Sequence, residues 1–257
     1  MTHRLPASVL LIAGALAVSA CVSTGGPRGA DAREAARANT ELGAGYIRRG
    51  RNDAAREKLE KALTLDDRYA PAHATYALLL ARQGEDAGAD NHFRQALRLA
   101  PEDPDIRNNY GAYLCARGRA DAAVEQFARA AEVPGYVGRS TALTNAGLCL
   151  RDADPARAEG FLRRALEANP QNPTAMAQLA WVSYRQGEYM SARAFLSRYD
   201  RIADPSAEVL WLGAQTEAAL GDHQAAAEYR NQLAAQYPDF EAPALAAPPS
   251  QPNSDTP

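Results

Sequence analysis

The chain has 257 residues, enough for one large domain or a repeat array, and its 28 Lys and Arg against 31 Asp and Glu leave a formal charge of −3. That balance excludes the basic footprint of a nucleic-acid binder. Lysine is scarce, arginine and alanine are abundant and β-branched residues are few, so helix is favoured over sheet.

At the amino terminus Arg4 precedes an apolar run from Val9 to Val18. A membrane-spanning helix needs roughly 20 such residues, so the run fits the apolar part of a secretory signal instead. Small residues follow and end in a cysteine, as Val18-Ser19-Ala20-Cys21. This resembles the lipobox of bacterial lipoproteins. The resemblance implies a signal peptide over 1–20, diacylation of the Cys21 thiol and acylation of the new amino terminus. The membrane contact would then be a lipid anchor, and two or three acyl chains hold where one is marginal. The other reading is an ordinary signal peptide with a chance cysteine. Residue 22 is Val and not Asp, which in such lipoproteins implies forwarding to the outer membrane, on its periplasmic side, with inner-membrane retention as the alternative. Residues 21–35, with Ser-Thr-Gly-Gly-Pro, are predicted to be a flexible tether.

Residues 36–239 carry an internal repeat. Gly43, Ala77 and Gly111 lie 34 residues apart, as do Gly50, Gly84 and Gly118, and Ala55, Ala89 and Ala123. Leu59, Phe93 and Phe127 keep the same interval. The period resembles the tetratricopeptide repeat, whose unit is two antiparallel helices. Small residues permit close helix approach, the large residue four positions after each alanine fills the space between, and the glycines after the first helices suit a left-handed turn. Looser copies follow, with Gly147, Ala158, Leu162 and Ala165, then Ala180, Gly187, Ala192 and Leu196, then Gly213, Gly221 and Ala226. The expected fold is an all-α superhelix of about six hairpins, the sixth acting as a cap. The Pro-rich residues 240–257 are expected to be disordered, either as a bland solvated end or as a partner-binding tail.

Catalytic chemistry is thin. His3, His73, His92 and His223 are scattered without metal-ligand spacing, and there is no CxxC, phosphate-cradling loop or nucleophile elbow. No catalytic residue, metal, cofactor or small-molecule substrate is expected, and no segment outside the repeats is long enough for a catalytic fold.

Two cysteines remain beyond Cys21, and in an oxidising compartment they are expected to pair. Cys115 lies four residues after its repeat glycine and Cys149 two after its own, a difference of about 200° around the helix. On neighbouring first helices that turns one toward the other, as a staple between repeats three and four. Buried free thiols and a redox site are the competing readings.

The lipobox, the six units, Asn108-Asn109-Tyr110-Gly111 with Leu114-Cys115, and Asn145-Ala146-Gly147-Leu148-Cys149 together resemble the PilF/PilW family of type IV pilus lipoproteins. The resemblance implies a pilotin-like role, helping the type IV pilus secretin to reach the outer membrane, assemble or stay stable. The alternative is a general envelope scaffold for peptidoglycan or outer-membrane assembly factors. Asn109 and Asn145 share one position on their first helices, near the concave face of this repeat class, where a side-chain amide can both donate to and accept from a peptide. They either bind a partner or bridge helices within the array. Trp181 and Trp211 either anchor a partner or pack in the core.

Overall fold

A computed structural model of the protein describes residues 29–242. The expected signal peptide, Cys21 and the tail beyond residue 242 lie outside the described residues. The described residues form twelve α-helices and no strand: α1 (Gly29–Arg48), α2 (Asn52–Leu65), α3 (Ala70–Arg82), α4 (Asp86–Leu99), α5 (Pro104–Ala116), α6 (Ala120–Glu132), α7 (Arg139–Leu150), α8 (Pro155–Ala168), α9 (Pro173–Arg185), α10 (Tyr189–Tyr199), α11 (Ala207–Ala219) and α12 (His223–Gln236). Each odd-numbered helix pairs with the next to give six hairpins, the all-α solenoid expected from the 34-residue period. Helix α1 starts at Gly29, inside the segment expected as tether. Its alanine-rich sequence favours helix, Asp31 sits in the first turn where the helix dipole favours an acid, and Ala36 is fully buried against Ala62 and Ala72.

The repeat columns have direct physical roles. Gly50, Gly84, Gly118, Gly187 and Gly221 close the turns between paired helices with φ between 71° and 80°, the left-handed region where a side chain is costly. The fourth hairpin turns differently, because the Asp154 carboxylate accepts from the Arg157 amide and Pro155 opens α8. Within the first helices glycine answers a second need. A Cβ on Gly111 would stand 2.7 Å from the Phe127 ring, and one on Gly147 would stand 2.5 Å from Leu162. Both large residues are almost wholly buried, which stabilises by about 1.5–3 kcal/mol each.

Consecutive odd-numbered helices pack along one another, whereas consecutive even-numbered helices stand further apart and meet through long side chains, as where Arg157 of α8 reaches Asp121 of α6 at 3.1 Å. The odd row is therefore the inside of the curve, and its unburied residues form the inner surface.

Candidate functional site

The inner surface is most built at repeats three to five. Helix α5 is started by Asp103, whose carboxylate accepts from the Asp105 and Ile106 amides, with Pro104 at the first helical position. Asn172 caps α9 in the same way, and its amide donates to Ser140 Oγ at 2.8 Å and Thr144 Oγ1 at 3.0 Å, so one side chain starts α9 and ties it to α7.

Repeats three and four are joined twice across this row. Asn145 Nδ2 donates to Asn108 Oδ1 at 3.0 Å, and the Cys115 and Cys149 sulfurs stand at bonding distance, their Cα atoms 5.8 Å apart. Asn109 is half-buried and takes no part in the bridge. The pairing of α5 with α7 thus runs through Asn108, one residue before the asparagine that shares a repeat position with Asn145. Tyr110 turns the other way, stacking on Phe93 at 5.1 Å between ring centres. Its hydroxyl donates to Asp90 Oδ1 at 2.8 Å, and burial pushes the phenol above its ordinary range.

Repeats four to six are joined by a stack. The Arg151 guanidinium lies 5.0 Å from the Trp181 ring centre, and Trp181 lies 5.8 Å from Trp211. Arg151 also donates to Gln178 Oε1 at 2.9 Å. Trp211 is buried at 8% exposure and packs in the core, while Trp181 is half-buried and faces the inner side. Its Nε1 is enclosed without an acceptor. Arginine on tryptophan left no periodic trace in the sequence, since the two residues belong to different repeats.

Between these joints the central turns of α5, α7 and α9 leave Asn108, Asn109 and Ala112, then Thr141, Asn145 and Leu148, then Gln178 and Trp181 unburied. None is charged. Leu148 is 36% exposed in a helix whose other leucines are buried. The surface offers amides, a hydroxyl and apolar contacts, the chemistry that holds a polypeptide backbone and its uncharged side chains.

Tetratricopeptide-repeat family profiles match residues 77–137 and 150–216. The type IV pilus assembly protein PilF of Pseudomonas aeruginosa is 31% identical over 245 residues, 93% of this chain and 95% of that protein. The chain belongs to the PilF/PilW family. A solved structure of Pseudomonas aeruginosa PilF superposes with a TM-score of 0.72 at 31% identity, covering 81% of this chain and 95% of that one. The crystal structure of PilW, a widely conserved type IV pilus biogenesis factor, gives 0.71 at 32% identity, covering 80% and 95%. An uncharacterized protein of Haemophilus influenzae is 30% identical over 159 residues, 56% of this chain and 88% of that protein. Of the residues that carried the PilF/PilW resemblance in the sequence, Asn108, Cys115, Asn145 and Cys149 meet at the seam between repeats three and four, whereas Tyr110 packs on Phe93 and Gly111 and Gly147 admit Phe127 and Leu162 within their own hairpins.

Proposed function

We propose that this PilF/PilW chain is a pilotin-like lipoprotein, anchored through Cys21 on the periplasmic side of the outer membrane, whose inner surface holds the type IV pilus secretin during targeting or assembly. The chain acts by binding protein. The observation that carries the reading is the inner surface of repeats three to five, whose central turns present amide, hydroxyl and apolar groups, braced by Asn108 with Asn145, Cys115 with Cys149, and the Arg151 guanidinium on Trp181. A braced surface loses little conformational freedom on binding, so more of the contact energy appears as affinity.

The anchor complements the surface. Among the described residues no helix is long and apolar enough to cross a membrane. Lipid on Cys21 would confine scaffold and client to one plane and raise the effective concentration at which client subunits meet. The test is a deletion strain complemented with the wild-type chain or with Cys21→Ser. Outer-membrane secretin multimers and surface pili are expected to fall on deletion and to return with the wild type only. Normal multimers and pili in the deletion strain would overturn the reading and favour a general envelope scaffold.

A further inference from the structure

His73 and His92 are 19 positions apart in sequence, yet the hairpin of α3 and α4 brings their rings together, with the two Nδ1 atoms 2.9 Å apart and the ring centres 5.1 Å apart. His73 stands in the first turns of α3 and His92 midway along α4, and both are half-buried, open to solvent on one side. The Tyr76 and His92 rings meet edge to face at 4.9 Å between centres. His73 Nε2 lies 2.9 Å from the Asp67 carbonyl oxygen. A carbonyl only accepts, so Nε2 of His73 carries the hydrogen, and in the neutral ring its Nδ1 presents a lone pair toward His92. Outer-nitrogen donation to a carbonyl is what orients a metal-binding histidine and sets its tautomer.

We propose that His73 and His92 form a two-imidazole site for a divalent transition-metal ion, with Cu(II) preferred to Zn(II). The spacing of the two donor atoms is close to what such an ion requires. Two imidazole nitrogens in neighbouring positions of a tetragonal Cu(II) ion, each at about 2.0 Å, stand about 2.8 Å apart. The two Nδ1 atoms here already stand 2.9 Å apart but face each other head-on, so binding turns each ring by about 45° until the two lone pairs meet at the ion. In the ion-free hairpin His92 donates its Nδ1 hydrogen to His73. On binding, that hydrogen is carried on His92 Nε2 instead, both rings stay neutral, and both Nδ1 lone pairs meet the ion. Copper leads because imidazole sites bind first-row divalent ions most tightly there. Among the described residues no third His, Cys, Asp or Glu completes a protein-only site. The remaining positions are open to water or to a donor from a bound polypeptide, and binding is exchangeable.

The experiment titrates Cu(II), with a weak competing chelator, into the mature lipidated protein, which carries no polyhistidine tag and loses His3 with the signal peptide. One equivalent is expected, with two equatorial nitrogens in the paramagnetic resonance spectrum and a rise in Tm. His73→Asn and His92→Asn should each weaken binding by more than the about 10-fold to 100-fold that loss of an outer-shell partner costs, while the exposed His223→Asn leaves it unchanged. Circular dichroism melts of the metal-free variants check that each is folded. Failure of the wild type to take up one equivalent, or unchanged binding in the folded His73→Asn/His92→Asn double variant, overturns the proposal.

Discussion

Asn145 donates its side-chain amide to Asn108 across the junction of repeats three and four, one helical turn before the cysteine that meets Cys115. The bridge separates two asparagines that the repeat register treats as equivalent, because Asn145 is committed to α5 and Asn109 is not. Replacing Asn145 by Ala removes a half-buried amide pair and strands the Asn108 carbonyl. The expected loss is about 1 kcal/mol of stability, a small fall in Tm. Asn109→Ala should leave Tm within error and weaken client binding, measured by denaturation and by capture of secretin from detergent-solubilised envelopes.

The cysteine pair encloses a sequence separation of 34 residues. For a loop of that length the chain-entropy model gives a stabilisation of about 3–4 kcal/mol. Cys149→Ser is therefore expected to lower Tm strongly while far-ultraviolet circular dichroism at low temperature keeps its helical intensity, since each hairpin makes its own helix contacts. Alkylation of the unreduced protein followed by intact-mass measurement should modify neither Cys115 nor Cys149. Two added alkyl groups would show that the pair is not formed.

Glycine at two helical positions should respond in opposite directions to the same substitution. Gly160 lies in α8 with nothing within 4 Å of the site where a Cβ would be, so Gly160→Ala gains helix propensity, up to about 1 kcal/mol. Gly111→Ala places its Cβ 2.7 Å from the Phe127 ring and must displace a buried aromatic, at a cost of about 1–3 kcal/mol. Urea denaturation of the two variants checks the contrast.

Asp200 predicts a pH dependence. Burial raises its carboxyl above the ordinary 3.8, partly offset by the hydrogen bond it accepts from the Tyr229 hydroxyl at 3.0 Å. The folded chain therefore holds this proton more tightly than the unfolded chain. The group contributes stability that is present below 3.8 and is lost as pH rises through the folded value. Asp200→Asn keeps an acceptor for Tyr229 and removes a charge that the fold partly desolvates, although the residue reaches the surface. It should raise Tm at neutral pH relative to the wild type, with the difference shrinking as the buffer is taken to acid.

Most of the scaffold was legible because repetition supplies its own check. Gly50, Gly84 and Gly118 recur at one interval, and each takes the same left-handed turn. Leu59, Phe93 and Phe127 recur likewise and are all buried. The start of α1 was harder to read, since Ser-Thr-Gly-Gly-Pro is followed by an alanine-rich stretch whose helix depends on burying Ala36 against Ala62 and Ala72. The surface chemistry was less legible still. The choice of Asn108 over Asn109 as the partner of Asn145 depends on how α7 crosses α5, and the Arg151, Trp181 and Trp211 stack draws one residue from each of three repeats. Periodicity reports what every unit shares, whereas these contacts arise where neighbouring units differ.

The most direct measurement of the central claim is site-specific photo-crosslinking in cells that assemble pili. A photoreactive side chain at Asn109 samples the inner surface, and one at the exposed Glu125 of α6 samples the outer row. Crosslinked secretin from Asn109, with none from Glu125, is the expected result. Equal yields at the two positions, or no secretin adduct at Asn109, would contradict a client held in the inner surface of repeats three to five.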